Sequence, residues 1–391
     1  MKLTQAIVSV GKHGSDIEGF TNSHLQSAVE RVASLGGGAV EVSAGIFMMD
    51  DALHLASNVT VRGQGAATVF RKTPMRKAAI TTILGYGHTD IITDNPDIFK
   101  VGDGVVISSA QSHGFLDTTG TLLRREGDIW FNSRTFNNDY NSAHNATLRT
   151  LHPLVDAVGA TNASLEEVTL DGNAAFNEQI NGCRGAAFYA LNSQQITAHK
   201  VAAHDFNGDG FSFQTCDNLT LDTCFAEKCH GNGFHPGSGS NRFHIKNCTA
   251  RACHGCGLFY CLRVRNSILE TSLFEDNHSH GIYIWARDNN HINRHLTIRR
   301  NGGCGICYMN IPPSHSSNNH TFSECTLTEN CTRDGQAEIL LQGSPRNTTI
   351  SGLNITRHPG KPAIMVTPNT PPFTLTDTTI TPPGPDAITY L

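Results

Sequence analysis

The chain has 391 residues, more than one ordinary globular domain, yet only 16% of them are charged and the formal net charge is −5. The basic excess expected of a nucleic-acid binder is missing, and no apolar run approaches the ~20 residues of a membrane helix. The 37 glycines, among plentiful Thr and Asn, suit many short strands joined by tight turns.

The opening, Met1 through Val8, is too short and too soon polar for a secretory signal, so the protein is expected to be cytoplasmic, or secreted or periplasmic if a leader was removed. Asn22 or Ser23 is then predicted to cap a helix through Leu25, Ala28, Val29, Val32 and Leu35, ending at Gly36, Gly37 and Gly38. Residues 1–38 thus read as an N-terminal cap, and 39–391 as a single domain whose open end that helix covers. Residues 39–65 read as strands broken by glycine turns: Ala39-Val40-Glu41-Val42, an Ala44-Gly45-Ile46-Phe47 turn, and Asn58-Val59-Thr60-Val61-Arg62-Gly63-Gln64-Gly65. That succession resembles the opening coils of the pectate-lyase-like superfamily. The resemblance implies a right-handed parallel β-helix and carbohydrate-active chemistry.

From about 75 to 154 the pattern breaks, which predicts a side insertion or small β-subdomain; long excursions from a solenoid commonly line its binding face. Regular coils return near Ala163. Phrases starting at Ala187, Gly210, Gly233, Gly257, Gly281 and Gly305 stand 23 or 24 residues apart, the period of a solenoid. Within each, apolar residues alternate, so the unit is a strand with one face inward. The fold class is therefore all-β, a parallel β-helix of about 24-residue coils. A smaller excursion falls at 311–319, and weaker phrases carry the stack to the C-terminus.

A fixed period turns sequence spacing into spatial columns. Ser212, His235, Phe259, Tyr283 and Cys307 are expected to form one outward column, with Gln214, Gly237, Cys261, Trp285 and Met309 beside it. Phe259, Tyr283 and Trp285 would offer ring faces to a linear sugar chain. Arg263 and Arg287, one coil apart, would grip carboxylates in a bidentate manner. His230, His254 and His278 form a further column, whose ~4.8 Å spacing spreads the rings too far for one tetrahedral metal. Twelve cysteines include pairs one coil apart, Cys224 with Cys248 and Cys229 with Cys253, which read as buried thiols, with one or more disulfides as the alternative. Cys304-Gly305-Ile306-Cys307 has the C-x-x-C form without a second matching pair, so no metal site is assigned.

The acidic candidates sit in His204-Asp205-Phe206-Asn207-Gly208-Asp209-Gly210, followed one coil later by Asn232 and His235. These coils resemble the polygalacturonase family of glycoside hydrolases, whose neighbouring coils carry Gly-Asp-Asp and Gly-His-Gly. By position Asp209 matches the first aspartate, Gly210 stands at the second, and Asn232 replaces the histidine. The resemblance implies hydrolysis by a carboxyl pair, for which Asp205 and Asp209 are the partners at hand. β-Elimination from a uronic acid is the leading reading: His235 as base, Tyr283 as acid, and Arg263 and Arg287 as carboxylate neutralisers, with Asn232 and Gln214 beside them. A C5-epimerase would use much the same groups. A non-catalytic binding module using the aromatic strip is the third reading. The partner in every case is a polysaccharide or oligosaccharide, not a membrane or nucleic acid, and the oligomeric state stays open. Asp205, Asp209 and Asp222 are too scattered in sequence for an oxygen cage, and calcium stays open as a cofactor.

Overall fold

The computed structural model describes residues 6–391; of the opening segment considered for a signal, residues 1–5 lie outside the described residues. Each regular coil contributes three short strands, as in Asp209–Gln214, Thr220–Asp222 and Phe225–Glu227. The first joins an eleven-stranded parallel sheet that runs from Leu53–His54 through Val155–Val158, Ala186–Leu191, Asp209–Gln214, Phe234–Gly237, Leu258–Tyr260, Ile282–Ile284, Ile306–Tyr308, Ile339–Leu341 and Ile364–Val366 to Ile388–Tyr390. The other two join a 22-stranded sheet that forms the remaining walls. Inward positions fill one continuous core, in which Phe188, Phe211 and Phe234 stack through successive coils.

Polar residues stack as readily as apolar ones, because each meets its own kind one coil away. In the interior, Asn301 Oδ1 accepts from the backbone N–H and the side chain of Asn277 at 3.1 and 2.9 Å, and Asn330 Oδ1 accepts from Asn301 in the same way. At one corner Asn266, Asn290, Asn319 and Asn347 adopt φ of 55°, 64°, 61° and 55°, a left-handed backbone that Asn tolerates. Their carboxamides are linked in series at 2.9 Å. His230, His254 and His278 stack in the same manner, with centroids 4.7 Å apart. Cys224, Cys248, Cys229 and Cys253 are buried free thiols in the core.

The helix Asn22–Ser34 lays Leu25, Ala28, Val29 and Val32 over the first coils. Its N-cap is Thr21, not Asn22 or Ser23, and Thr21 Oγ1 bonds His24 Nδ1 and Ser23 Oγ instead of capping a backbone N–H. Between Lys72 and Val155 the chain leaves the coil to build a six-stranded sheet with antiparallel neighbours, whose core includes Trp130, Phe136, Tyr140 and Leu148. Strand Val155–Val158 then pairs directly with Leu53–His54. The side sheet is thereby fixed beside one edge of the eleven-stranded sheet.

The interior asparagine ladder yields a stability test. Asn301→Ala strips two buried donors of Asn277 of their acceptor, at roughly 1–3 kcal/mol for each orphaned group. The variant is expected to lose about 2–4 kcal/mol in urea unfolding, whereas Asn347→Ala on the exposed ladder should lose under about 1 kcal/mol.

Candidate functional site

The outward residues of the eleven-stranded sheet fall in register. Asp156 pairs with His54 and Tyr189, Tyr189 with Ser212, Ser212 with His235, Phe259 with Tyr283, and Tyr283 with Cys307. The rings match this order: His235 stacks on Phe259 at 5.1 Å, and Phe259 on Tyr283 at 5.4 Å and on Trp285 at 5.9 Å. Phe259, Tyr283 and Trp285 are half-buried, so part of this row is open to solvent.

At the first end of the column the side sheet leans over the coil and encloses a cleft of about 730 Å³, lined by Asp51, His54, Arg134, Asp156, Arg184 and Tyr189 among others. His54 bridges two carboxylates, with Nδ1 2.8 Å from Asp156 and Nε2 3.5 Å from Asp51. Burial alone would lower its pKa, but the Asp156 charge and hydrogen bond, helped by Asp51, override it and raise the value to about 10. The ring is thus an imidazolium at neutral pH. Arg184 lies over the ring of Phe115 and donates to its carbonyl, while Arg134 reaches Thr119. Neither arginine has a carboxylate partner among the described residues.

In mid-column the chain segment 181–184 folds back across the sheet. Ser212 Oγ donates to the Gly182 carbonyl at 2.7 Å and Tyr189 OH to the Cys183 carbonyl at 2.8 Å, which pins the segment down. Beneath it His235 Nδ1 lies 2.6 Å from Asp209 Oδ2, with the two residues only 4% and 3% exposed. Asp209 Oδ1 accepts from both nitrogens of Asn232. Gly182 and Gly231 are required here, because a β-carbon on either would strike an Asp209 oxygen. The other ring nitrogen, His235 Nε2, is buried without a hydrogen-bond partner; a ring nitrogen of His235 and the sulfurs of Cys183 and Cys261 lie within 4.8 Å of one another. Burial would lower the pKa of His235, and the Asp209 charge and hydrogen bond raise it beyond the ordinary value. Cys183 is pulled down to about 7, chiefly by a hydrogen bond from Cys261 and against its own burial, with His235 assisting.

Several candidate residues sit differently from what the sequence leads one to expect. Asp205 is exposed at the end of strand Ala202–His204 in the other sheet, with its carboxylate on His204 at 3.0 Å. It does not face the buried Asp209, so the pair makes no two-carboxyl site. His235 and Tyr283 do not converge on one sugar, because the ring of Phe259 stands between them. Tyr283, half-buried, is pushed up to about 12 by that burial. Asn232 is spent on Asp209 and on the backbone N–H of Cys256. Gln214 is buried, donates to Ser212, and leaves Oε1 unpartnered. Arg263 is exposed and Arg287 half-buried at left-handed turns. Asp288 does not pair with them; its oxygens accept from the N–H groups of Val264 and Trp285, and burial raises it to about 7.

The cleft and the Cys183 cluster are not visible to reasoning from period, since Arg134, Cys183 and Arg184 lie on segments outside the repeat. A second sulfur cluster joins His280 to Cys304 and Cys307, and there His280 Nδ1 already accepts from the Cys304 N–H at 2.9 Å.

This geometry generates two measurements. Of the twelve cysteines only Cys183 is not fully buried, and its lowered pKa raises the thiolate fraction. Limiting iodoacetamide at neutral pH should therefore alkylate Cys183 first, as mapped by peptide mass spectrometry. The raised pKa of His54 makes its stabilisation complete below the unfolded value near 6.5 and lost as pH passes about 10. The melting-temperature advantage of wild type over His54→Gln should shrink across that window.

The sequence matches the family model described as "Right handed beta helix region" over residues 102–293 and 189–355, together more than half of the chain. No curated protein matches it. Among solved structures it is similar to the A-module of the mannuronan C-5 epimerase AlgE4 of Azotobacter vinelandii, with 14% identity, 95% of each chain covered and a TM-score of 0.57. It is also similar to endo-xylogalacturonan hydrolase from Aspergillus tubingensis, with 9% identity, 96% and 92% covered and a TM-score of 0.57. PfbA, a surface adhesin of Streptococcus pneumoniae, matches with 11% identity, 96% and 91% covered and a TM-score of 0.55. Such identities establish a shared fold and leave the chemistry to the residues of the site. The chain belongs to the right-handed parallel β-helix family.

Proposed function

We propose that this protein acts on an acidic polysaccharide lying along the outward face of the eleven-stranded sheet. The observation that carries the proposal is the distribution of arginines. On the other sheet most of them are matched with acids on neighbouring coils, as Arg251 and Arg299 are with Glu275 at 2.6 and 2.7 Å, with Arg265 the exception. Along the candidate face Arg134, Arg184, Arg263 and Arg287 have no carboxylate partner among the described residues, and Arg287 Nε is buried without a hydrogen bond. Unmatched guanidinium groups beside half-open aromatic rings suit a polymer that supplies both carboxylates and ring faces. The similar epimerase and hydrolase, named for a mannuronan and a xylogalacturonan, are consistent with that substrate class.

The reaction this cleft suits best is β-elimination. Arg134 and Arg184 would neutralise the uronate carboxylate, which acidifies the adjacent C5 proton. Asp51 and Asp156 are the bases the cleft offers for that proton, while the His54 imidazolium donates to the oxygen leaving as the C4–O bond breaks. Hydrolysis by Asp205 and Asp209 has no such support. The binding-module reading keeps one favourable observation, the open row of Phe259, Tyr283 and Trp285 away from the cleft.

The test is a panel of polyuronates, with neutral polysaccharides as controls. Elimination is expected to produce the ultraviolet absorbance of an unsaturated uronide, abolished in His54→Gln with binding retained. A charge-assisted hydrogen bond contributes ~1.5–3 kcal/mol, so Arg184→Ala should weaken polyuronate binding about tenfold or more. Reducing ends without that absorbance would replace elimination by hydrolysis, and binding without product would leave a binding module. Absence of binding to every polyuronate would sink the proposal.

A further inference from the structure

We propose that Cys183, His235 and Cys261 bind one divalent cation of the zinc class, a site independent of the polysaccharide reading and unused by it. The donor set is two sulfurs and one imidazole nitrogen, which suits a thiophilic metal. A tetrahedral zinc places such ligand atoms roughly 3.5–3.8 Å apart, from ~2.3 Å bonds to sulfur and ~2.0 Å bonds to nitrogen. Here they lie within 4.8 Å of one another, so a small inward movement completes the geometry.

Two further observations single out this cluster. His235 Nε2 is buried with no hydrogen-bond partner, in a residue 4% exposed whose ring lies beside the two sulfurs. Its other ring nitrogen is held by Asp209 at 2.6 Å, the carboxylate–histidine arrangement that fixes tautomer and ring orientation for a metal. Asp209 is in turn held by Asn232 and boxed between Gly182 and Gly231. The ring packs on Phe259 and is tied to Asp209, yet neither contact uses Nε2, which a metal held by the two thiolates would take up. The cluster of His280, Cys304 and Cys307 differs, because Nδ1 of His280 accepts from a backbone N–H, which leaves the proton of the neutral ring on Nε2.

The rigidity of the two sides differs. Cys261 comes directly after strand Leu258–Tyr260 and is bridged to Gly237, whereas Cys183 rides on the folded-back segment and is half-buried. Metal entry is therefore from the Cys183 side. Three protein ligands leave a fourth position for water or an added ligand, the pattern of an open zinc site. Binding would also tie the segment 181–184 to the sheet, in addition to its bonds from Ser212 and Tyr189.

The experiment uses the full chain, reduced and freed of metal, titrated with cobalt(II) and separately with zinc(II), without polysaccharide. Cobalt should develop thiolate charge-transfer absorption, and zinc should protect Cys183 from alkylation. Cys183→Ser, Cys261→Ser and His235→Gln are each expected to lose one metal equivalent, while Cys304→Ser keeps it. Asp209→Asn should retain the site with affinity lowered ~10–100-fold. Circular dichroism of each variant reports retention of the fold, and protection of Cys183 in wild type needs no variant at all. Unchanged stoichiometry in Cys183→Ser, alkylation of Cys183 unaffected by zinc, or a stable Cys183–Cys261 disulfide in place of metal uptake would each overturn the proposal.

Discussion

Register between successive coils is the constraint on which everything else in this molecule depends. Backbone hydrogen bonds between parallel strands fix the vertical step at about 4.8 Å, and near-constant coil length brings each residue over its counterpart. Whatever is placed once is met again at that distance. For Phe, Val or Ile this favours stacking and a dry core. For Asn it makes a chain of amides in which each oxygen accepts from the coil before it. For charge the same proximity penalises repetition, and the other sheet answers with alternation: Glu275 stands between Arg251 and Arg299 and also receives Arg300.

A buried polar ladder has an end, and its last member needs a partner of another kind. Here the interior asparagines finish at Glu338, whose carboxylate accepts from the backbone and side chain of Asn330 at 2.9 and 2.6 Å. Burial raises the pKa of Glu338, and the two hydrogen bonds from Asn330 oppose that by favouring the ionised form. A carboxylate accepts at both oxygens without needing a further acceptor for a donor of its own, so it ends the series where another carboxamide would leave an N–H unmet. The terminus of the ladder is thus chemically different from its repeats, for a reason set by hydrogen-bond inventory.

The columns are legible in the sequence because subtraction of residue numbers alone places Phe259 over Tyr283, His230 over His254 and Cys224 near Cys248. What stays illegible belongs to segments with no period. Cys183 and Arg184 precede the first regular phrase on an excursion, and nothing in their spacing says that Ser212 and Tyr189 will fasten that excursion over His235. Arg134 comes from the side sheet, and its approach to His54 depends on how that sheet sits against the coil. His235 shows the limit well. Its column is readable and its burial is not, because outward-facing in a strand does not mean exposed when a neighbouring segment lies across the face. The glycines at 182 and 231 are a visible signal, although only the packing against Asp209 explains them.

The folded-back segment also decides how the face can be used. It separates the cleft that holds His54, Arg134 and Arg184 together with Asp51 and Asp156 from the aromatic row at Phe259, Tyr283 and Trp285, with the sealed Asp209–His235 pair between. Cys183 is the half-buried rim of that seal. Any bond that holds Cys183 to the sheet therefore keeps the segment down between the two halves. The residues that fasten or shape this segment, Tyr189, Ser212 and Asp209, lie on the rigid sheet, and sheet-borne side chains position more accurately than loop-borne ones. The repeat thus supplies a fixed floor, and the non-repeating segments laid on it supply the chemistry.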